Sequence, residues 1–471
     1  MENKKPGCPY HDIDQIEAFD ALDPKARESP WAYYDWLRDR PERAVYPLPY
    51  ESSFFMIHDY EAVKAALVDT EQFSNKIIPT VKSPFFALMD GESHRRIRSV
   101  VAQVFSPKHI QQWEAPIRQI IGQATDTLLE KKSCELFQNW AIPIPLGVLA
   151  HIFGLSGDPA TIEKLHHHTI AINKAIFVTG GTGPRRKNTP NAGEKAAISW
   201  AIIKNIPNLL RLYRRLGSKG MRELGAMFRF AQTEVETPRP NFEHIPAGVT
   251  PFLELMLLFL DQLINQKQRP DAVEIPALTI FNHHIDSGEV SLAEMMMAGA
   301  FILFAGHETT TSLLSNCVVH LARHPDIFQE LKDHPEKIED FVEETLRFYT
   351  PVGRFLRRAK NDVAISGTRI PKDAIVLLML GAANTDPEKF EDGCRFDLNR
   401  KNVRQHLSFG KGAHFCIGAS LARLQATLAV ADLTKRVGTI NIDTSQPLNM
   451  VTDRDNGLLR YEALPVIVTA C

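Results

Sequence analysis

A single cysteine, Cys416, stands between a glycine-rich loop and the start of a helix, and this feature restricts the fold more than any other. The segment from Phe409 to Gly418 reads FGKGAHFCIG, and a helix is predicted from just after it to about Arg436. Backbone amides at a helix start stabilise an anion, so they favour the thiolate of Cys416 over the thiol. Gly418 has no side chain, so a flat ring system can approach the backbone there. A lone cysteine is more often a small buried hydrophobic residue, and it is the surrounding loop that favours a ligand here.

The composition is that of a globular protein with a large core, since 44% of the 471 residues are hydrophobic and 23% are charged. No Gly/Ser linker or repeat divides the chain, so we expect one domain over 1–471, although the length alone would also allow several. The net charge of −2 argues against nucleic-acid binding. Six cysteines without paired spacing indicate reduced thiols and a cytoplasmic protein. The polar N-terminus and the lack of an apolar run of about 18 residues predict neither a signal peptide nor a membrane span.

Helices dominate the predicted secondary structure, so the predicted class is mainly α with small β-sheets (α+β). Apolar residues at three- and four-residue spacing predict helices at 29–40, 60–68, 107–131, 139–155, 252–266, 292–322 and 337–349. Short apolar and β-branched runs predict strands at 51–59, 363–367 and 374–380.

The long predicted helix at 292–322 contains the segment AGHETT from Ala305 to Thr310. Glycine, threonine and a charged residue weaken the middle of a helix, which indicates a purpose for them. Gly306 can open the helical hydrogen bonds and leave a groove for dioxygen or water. Glu308 and Thr309 then form an acid–alcohol pair that suits proton delivery. The alternative is a surface Glu308 and a Thr309 that bonds back to its own helix.

Together these segments resemble the cytochrome P450 family, and the resemblance covers most of the chain. It implies a helix-rich triangular prism with heme b between the long distal helix and the proximal cysteine loop. Cys416 would be the heme-iron ligand, and a thiolate ligand pushes electron density to the metal and favours O–O cleavage. The other heme-contacting residues implied by the resemblance are Ala305, Phe409, Gly410, His414, Gly418 and Ala422.

The resemblance also implies the reaction, a monooxygenation in which one atom of O2 enters the substrate and the other leaves as water. Glu308 and Thr309 are then the catalytic pair, and because this chain retains them we expect dioxygen and external electrons rather than peroxide. Two alternatives stay open. One is another heme-thiolate outcome, such as desaturation or C–C and C–O coupling, and the other is a non-catalytic heme-binding sensor.

Glu344 and Arg347 lie three residues apart on one helical face. In most proteins such a pair is a surface salt bridge that contributes little to the free energy of unfolding. The resemblance implies that it is buried and joined to a later arginine, which by position is Arg395. We expect these three residues to form a structural network under the cysteine loop.

The two heme propionates need cations when they are partly buried. His94 and Arg98 match the family's His-x-x-x-Arg on one helical face, and Arg357 and His414 are the other candidates. The neighbouring arginines are expected to be solvated, namely Arg95, Arg96 and Arg358.

Electrons must come from a separate protein, because the chain carries no flavin, nicotinamide or iron–sulfur motif. A small acidic ferredoxin or flavodoxin is the expected partner. Four basic residues shortly before Cys416 are expected to steer it, or else to form a solvated loop, namely Arg400, Lys401, Arg404 and Lys411.

The pocket is predicted to be apolar, which favours an apolar substrate, with aromatic and terpenoid compounds as candidates. Its predicted lining comprises Phe85 and Phe86 of the loop 74–92, Phe301 and Phe304 of the distal helix, and Val352 and Phe355, with Leu458 and Leu459 in a late turn. Arg354 is a candidate anion clamp. Phenylalanine-rich stripes are also common in ordinary cores, so a purely structural role stays open.

The chain departs from the family over about 175–250, in the lid region that relatives cross in fewer residues. A loop is predicted at 180–193, and a helix over 194–216 with a kink at Pro207. Residues 181–239 contain 12 Lys/Arg and 4 Asp/Glu, a net +8, so the rest of the chain carries −2 − 8 = −10. This insertion is predicted to contact a membrane surface, an acidic protein or a partner subunit, or to be a longer solvated lid.

Overall fold

A computed structural model describes residues 30–40, 44–47, 54–77, 85–177, 192–227, 245–268, 274–446, 449–450 and 461–471. Its helices, in chain order from α1 to α15, are Pro30–Arg38, Tyr60–Val68, Gly91–Val104, Pro107–Lys131, Pro143–Ile152, Pro159–Phe177, Ala192–Lys204, Ile206–Met227, Ile245–Gln268, Pro276–Asp286, Leu292–Arg323, Pro325–Asp333, Ile338–Phe348, Leu380–Asn384 and Ala419–Arg436. Its strands, in chain order from β1 to β12, are Val45–Pro47, Phe54–Ile57, Phe73–Ser74, Ser133–Glu135, Phe355–Ala359, Val363–Ile365, Thr368–Ile370, Ile375–Leu378, Val437–Ile442, Asn449–Met450, Tyr461–Ala463 and Pro465–Ala470. Helices with small sheets are the predicted class, which is confirmed.

The chain folds into two compact units. The strand-bearing unit comprises Met1–Ser74, Ile121–Ala141 and Thr309–Cys471, and the helical unit comprises Asn75–Ile120 and Ile142–Glu308. All the described strands lie in the first unit. Helix α11 contributes to both units, because the boundary falls between Glu308 and Thr309.

A five-stranded sheet in the order β1-β2-β8-β5-β3 forms the centre of the strand-bearing unit. Strands β2 and β8 pair in parallel, and all four residues of each strand are buried. Continuous apolar runs of this kind are typical of strands that are covered on both faces. Strand β5 pairs with β8 in the antiparallel direction and leads into the sheet from the turn that follows α13.

The ends of several helices follow directly from local sequence. Helices α5, α10 and α12 have a proline in the first turn, where no backbone N–H is needed. Helix α2 begins at the cap residue Asp59, whose carboxylate accepts a hydrogen bond from Ala62 N at 2.9 Å. The predicted helices at 60–68, 107–131, 292–322 and 337–349 agree with α2, α4, α11 and α13.

Other predicted elements differ from the structure, and turns or prolines explain the differences. The helix predicted at 139–155 is a π-turn over Phe137–Ala141 followed by α5, which starts at Pro143. The strand predicted at 363–367 is shorter, because Ser366 and Gly367 have positive φ and turn the chain into β7. The single helix predicted over 194–216 is two helices, α7 and α8, that meet at Asn205, with Pro207 in the first turn of α8. Ser29, the predicted cap of α1, lies outside the described residues.

One helix of the described residues, within Pro246–Gln268, has the length and hydropathy of a membrane span. Helix α9 meets this criterion by its mean hydropathy, whereas the expectation from the sequence concerned an unbroken apolar run, which Glu254 and Asp261 interrupt in α9. Core helices of soluble proteins pass the same test. Met256, Phe259 and Leu260 of this helix are fully buried, and α9 packs against α6, α7 and α8 within the helical unit.

Candidate functional site

The loop around Cys416 is held in shape by its own backbone. Cys416 N donates to Phe409 O at 2.8 Å, and Phe415 N donates to Gly412 O at 3.0 Å. The cysteine is half-buried and lies three residues before the first residue of α15. Its backbone is therefore fixed at the helix start, as the sequence predicts.

Two glycines of this loop have different roles, since the structure requires one of them and the other leaves open space. Gly412 has φ +71°, and a Cβ there would lie 3.1 Å from Val68 Cα at the end of α2. At Gly418 a Cβ would meet no atom within 4 Å, so the loop is bare beside Cys416. An open face next to a thiol is what a flat prosthetic group needs in order to approach the backbone.

A buried ionic cluster, missed by the sequence analysis, lies under the loop. The Arg423 guanidinium covers the ring of Phe409, with 4.4 Å between Cζ and the ring centroid, and its Nη2 donates to Glu343 Oε2 at 3.1 Å. His406 Nε2 lies 3.2 Å from the same carboxylate oxygen. Burial alone would raise the pKa of Glu343, but the hydrogen bonds from His406 and Arg423 lower it to about 2. The Glu343 carboxylate is therefore ionised at neutral pH. Glu343 directly precedes Glu344 in the sequence.

The predicted buried network around Glu344 and Arg347, which we call the lock, is present, but its third member differs from the prediction. Glu344 and Arg347 have no exposed surface and form two hydrogen bonds of 2.7 Å. The second arginine at Glu344 is Arg400, whose Nε lies 3.1 Å from Oε1, and not Arg395. Arg395 has an exposed side chain and contributes only its carbonyl oxygen, which accepts from Arg347 Nη2 at 2.9 Å and Arg400 Nη2 at 3.0 Å.

The lock is connected to the cysteine loop through Asn384. Arg347 Nη1 donates to Asn384 O at 2.8 Å, and the Asn384 amide donates to Ser408 Oγ at 2.8 Å and accepts from Leu407 N at 2.6 Å. These hydrogen bonds end at the residue before Phe409. The buried lock therefore fixes where the loop begins.

The remaining predicted residues of the strand-bearing unit lie on or near β5 and the loop. Arg357 is buried and donates to Leu356 O at 2.9 Å, whereas Arg358 forms an ion pair with Asp373 rather than being solvated. Half-buried positions are Val352, Arg354, Phe355, His414 and Ala422. Leu458 and Leu459 lie outside the described residues.

Three of the four basic residues expected to steer a partner are exposed, namely Lys401, Arg404 and Lys411. The fourth, Arg400, is buried in the lock, so its predicted surface role is wrong. Arg404 also forms an ion pair with Glu339 at 3.2 Å. Phe415, directly before Cys416, is 39% exposed, so an apolar side chain accompanies these charges.

Helix α11 is buried along its middle except for one face. From Met295 to Leu321 every residue is buried apart from Phe301, Ala305, Gly306 and Thr309. These four positions fall within less than half a turn of the helix, so they form one accessible stripe. The helix is continuous here, and a Cβ on Gly306 would lie 3.2 Å from Leu149 Cδ1, so the glycine permits close packing. The structure therefore shows no break in the helical hydrogen bonds at Gly306, contrary to the prediction.

Glu308 is buried in the helical unit and has a specific partner there. The Asn173 amide of α6 donates to Glu308 Oε2 at 2.7 Å. One turn away on α6, Thr169 Oγ1 lies 2.9 Å from His307 Nδ1. Glu308 is only 3% exposed, so the alternative of a surface residue is wrong. Asn173 and Thr169 were missed, because their partners lie more than a hundred residues away in sequence.

The predicted pair on α3 differs in burial. His94 is buried and Arg98 is half-buried. Burial, with the positive charge of Arg98 as a smaller cause, lowers the pKa of His94 to about 4, so His94 is neutral at neutral pH. Arg95 is exposed, whereas Arg96 bonds Glu294 at 3.0 Å through Nη1 and is not simply solvated.

An aromatic cluster in the helical unit contains four of the predicted pocket residues. Phe301 on the accessible stripe lies with its ring centroid 5.2 Å from Phe85, 5.3 Å from Phe86 and 6.2 Å from Phe304. Phe85 and Phe86 are buried. The loop 74–92 and α11 therefore meet in one apolar, aromatic surface.

Each unit by itself carries residues of the kind that a heme-thiolate protein uses. The strand-bearing unit supplies a fixed, half-buried thiol beside a bare glycine and a buried arginine on β5. The accessible stripe of α11 supplies a small-residue face, and the helical unit supplies an apolar cluster. This donor set, one sulfur with no competing thiol in the loop, is typical of a heme-thiolate protein.

Comparisons with known proteins agree with this class. The family model for cytochrome P450 matches residues 256–450. The biotin biosynthesis cytochrome P450 of Bacillus subtilis is 26% identical over 434 residues, 88% of this chain and 91% of that protein. Cytochrome P450 107B1 of Saccharopolyspora erythraea is 27% identical over 403 residues, 81% of each chain.

Solved structures show the same fold. Cytochrome P450 CYP109Q5 from Chondromyces apiculatus has a TM-score of 0.73 at 23% identity, covering 96% of this chain and 98% of that one. P450BioI in complex with hexadec-9Z-enoic acid ligated acyl carrier protein also has a TM-score of 0.73 at 23% identity, covering 94% and 100%. Together these comparisons support a cytochrome P450 family protein, and they indicate a monooxygenase that binds heme b through a cysteine thiolate.

Proposed function

We propose that Cys416 is the heme-iron ligand and that the enzyme inserts one atom of O2 into an apolar small molecule. The balanced reaction is RH + O2 + two electrons + two protons → ROH + H2O. The observation that carries the assignment is the half-buried Cys416 at the start of α15, fixed by the Cys416–Phe409 backbone hydrogen bond beside the bare Gly418. The reduced state of the thiols and the family's soluble relatives support a cytoplasmic enzyme.

Roles for the other residues follow from their positions. When bound, heme b supplies a redox-active iron for chemistry on oxygen. The Thr309 hydroxyl lies on the accessible stripe of α11, and the adjacent Glu308 carboxylate is held on its buried side by Asn173. We assign Thr309 to proton donation and Glu308 to its resupply. Donors for the propionates are His94, Arg98, Arg357 and His414, and contacts with the ring fall to Ala305, Phe409, Gly410, Gly418 and Ala422.

The substrate is proposed to be apolar. The cluster around Phe301 offers aromatic surface, and Val352 and Phe355 are half-buried apolar positions in the strand-bearing unit. Two structures of the same fold contain large apolar ligands: hexadec-9Z-enoic acid on its carrier in P450BioI and testosterone in CYP109E1 from Bacillus megaterium. Those ligands belong to those proteins, and they support the class of ligand alone.

Electrons are proposed to come from an acidic ferredoxin or flavodoxin. Three exposed cations and the exposed Phe415 lie in the loop that carries Cys416 or shortly before it in sequence, and such residues attract a small acidic protein. The pairing of Arg404 with Glu339 reduces its share of this attraction.

A two-part assay tests the function. Apolar compounds are first screened for a low-to-high-spin shift of the heme band. Each hit is then incubated with a generic ferredoxin system and isotopically labelled dioxygen. We expect a product that carries one labelled oxygen atom. A spin shift without any electron-driven product would favour the sensor, and an unlabelled product would favour desaturation or coupling.

Substitution of Thr309 by alanine tests the proton-delivery assignment. We expect the variant to keep its heme and substrate spectrum but to release hydrogen peroxide, with product per electron falling by about tenfold or more. Thr310→Ala is the matched control, since Thr310 is the adjacent threonine but is buried away from the accessible stripe. Equal coupling in the two variants would contradict the assignment.

Asn173→Ala tests whether the carboxylate of Glu308 must be held in place. Losing the 2.7 Å hydrogen bond frees the carboxylate to rotate, so we expect product formation to slow by about tenfold at unchanged substrate affinity and its pH profile to shift. Thr169→Val removes the contact with His307 and leaves Glu308 untouched, so it controls for damage to α6. If both variants keep the parent rate and pH profile, Asn173 does not position Glu308.

A further inference from the structure

Helices α7 and α8 expose large apolar side chains that the reaction does not use. Of the nine large hydrophobic residues exposed in the described part of the chain, six lie on these two helices. We call them the apolar patch: Trp200, Ile202, Ile203, Ile206, Leu210 and Tyr213. Each is 47–59% exposed, and large exposed apolar patches mark surfaces that bind something.

The patch is separate from the face that packs the helices onto the protein. Ile206, Leu210 and Tyr213 are spaced by four and three residues, so they share one face of α8. Leu212, which lies between Leu210 and Tyr213 but points to the other side of the helix, is buried. Helix α8 therefore has one apolar face for the core and a second one towards solvent.

Cations accompany the patch. Between 192 and 227 there are seven basic residues and two acidic ones, Glu194 and Glu223, a net +5. The basic residues are Lys195, Lys204, Arg211, Arg214, Arg215, Lys219 and Arg222. Lys204 Nζ lies 5.9 Å from the centroid of the Trp200 ring, so charge and apolar surface are intermixed. All seven are exposed.

We propose that α7 and α8 dock the enzyme on the surface of an anionic phospholipid bilayer. Apolar side chains would enter the acyl boundary, and lysines and arginines would reach the lipid phosphates. A second copy of the chain fits less well, because two +5 surfaces repel each other. An acidic protein would match the charges, but protein interfaces are depleted in lysine relative to the rest of the surface, whereas three of these seven cations are lysines.

The docking proposal is argued from the exposed surface and not from the heme chemistry. An experiment can therefore contradict the docking proposal without contradicting the proposed monooxygenase function, and the reverse. It adds one consequence to the proposed function, namely that an apolar substrate reaches the enzyme from the lipid phase. Helix α9 stays part of the protein core, because its residues Met256, Phe259 and Leu260 are buried. The enzyme would therefore lie on the bilayer and not span it.

The experiment is a vesicle flotation assay with the full-length holoenzyme. Vesicles are made of phosphatidylcholine alone or of an equal mixture with phosphatidylglycerol. We expect the protein to float with the mixed vesicles, to release at high salt, and to stay behind with phosphatidylcholine alone. Trp200, Leu210 and Tyr213 replaced together by serine should lower the partition coefficient by about tenfold or more. Charge removal by Lys204→Gln with Arg214→Gln should lower it as well.

Control variants distinguish a loss of vesicle binding from a loss of folding. Ile467→Ser removes an exposed apolar residue on β12 and Lys108→Gln an exposed cation on α4, so both should float like the parent enzyme. The heme spectrum of every variant reports folding. Trp200→Phe should abolish the blue shift of tryptophan emission on mixed vesicles while flotation persists. Equal flotation of parent and serine variant would overturn the proposal, and so would a concentration-dependent dimer or acyl carrier protein binding that the serine variant loses in the absence of lipid.

Discussion

Replacing Cys416 with serine is expected to abolish the red-shifted absorption of the reduced carbon monoxide adduct and with it the monooxygenase activity. A serine hydroxyl does not ionise at neutral pH, so the iron would lose an anionic sulfur ligand that donates electron density. The backbone hydrogen bond from residue 416 to Phe409 does not depend on the side chain, so the loop should keep its shape. The measurement is the difference spectrum of reduced protein with and without carbon monoxide.

Cys134→Ser is the matched control, because Cys134 is also half-buried in the strand-bearing unit but lies on β4. We expect this variant to keep the parent spectrum. A Cys416→Ser protein that retains the red-shifted band would show that another group ligates the iron, and the whole assignment of the site would be lost.

The cysteine loop was predictable because its information is local. Glycines with positive φ, a helix start and a lone thiol lie within ten residues, and the structure forms them as one turn. The same holds for α2, whose cap Asp59 and apolar spacing lie in its own segment, and for α4, whose apolar spacing does. The face of α11 could be guessed only in part, since spacing groups Phe301, Ala305 and Thr309 but does not say which face is left uncovered.

Tertiary partners could not be predicted in the same way. Asn173 reaches Glu308 across 135 residues, and His406 and Arg423 converge on Glu343 from two segments. Nothing in the spacing of these residues marks them as partners. The basic insertion, by contrast, was predictable from composition. Its residues indicate a basic amphipathic segment, and α7 and α8 present such a surface.

Its position in the sequence predicts Arg395 as the third residue of the lock. The structure shows why Arg400 takes this place instead. The chain turns at Asp392–Arg395 and again at Asp397–Arg400, where backbone N–H groups bond back three residues at 2.8 and 3.2 Å. These turns direct the Arg395 carbonyl inward and its side chain outward, whereas the Arg400 side chain enters the core. Two arginines five residues apart cannot be separated without knowing those turns.

Arg400→Ala is therefore expected to lower the free energy of unfolding by about 3–5 kcal/mol, because it leaves the buried Glu344 carboxylate short of a charged partner. It also removes the hydrogen bonds that the carbonyl groups of Glu391 and Arg395 accept from Arg400 at 2.7 and 3.0 Å, although Arg395 O keeps its bond from Arg347 at 2.9 Å. Arg395→Ala keeps the carbonyl that the lock uses and removes only an exposed side chain, so a change within about 0.5 kcal/mol is expected. Urea unfolding of the two holoenzymes, followed by circular dichroism, measures both.

The same pair of variants tests whether the lock supports the cysteine loop. Through Asn384, the lock is bonded to Leu407 and Ser408, directly before the loop. Loss of Arg400 should therefore also speed the decay of the red-shifted carbon monoxide band below the unfolding midpoint, while Arg395→Ala leaves it unchanged. If the two variants are equally stable, or if Arg395→Ala is the more damaged, the third lock residue is Arg395 after all. If only global stability changes, the lock stabilises the unit without holding the iron ligand in place.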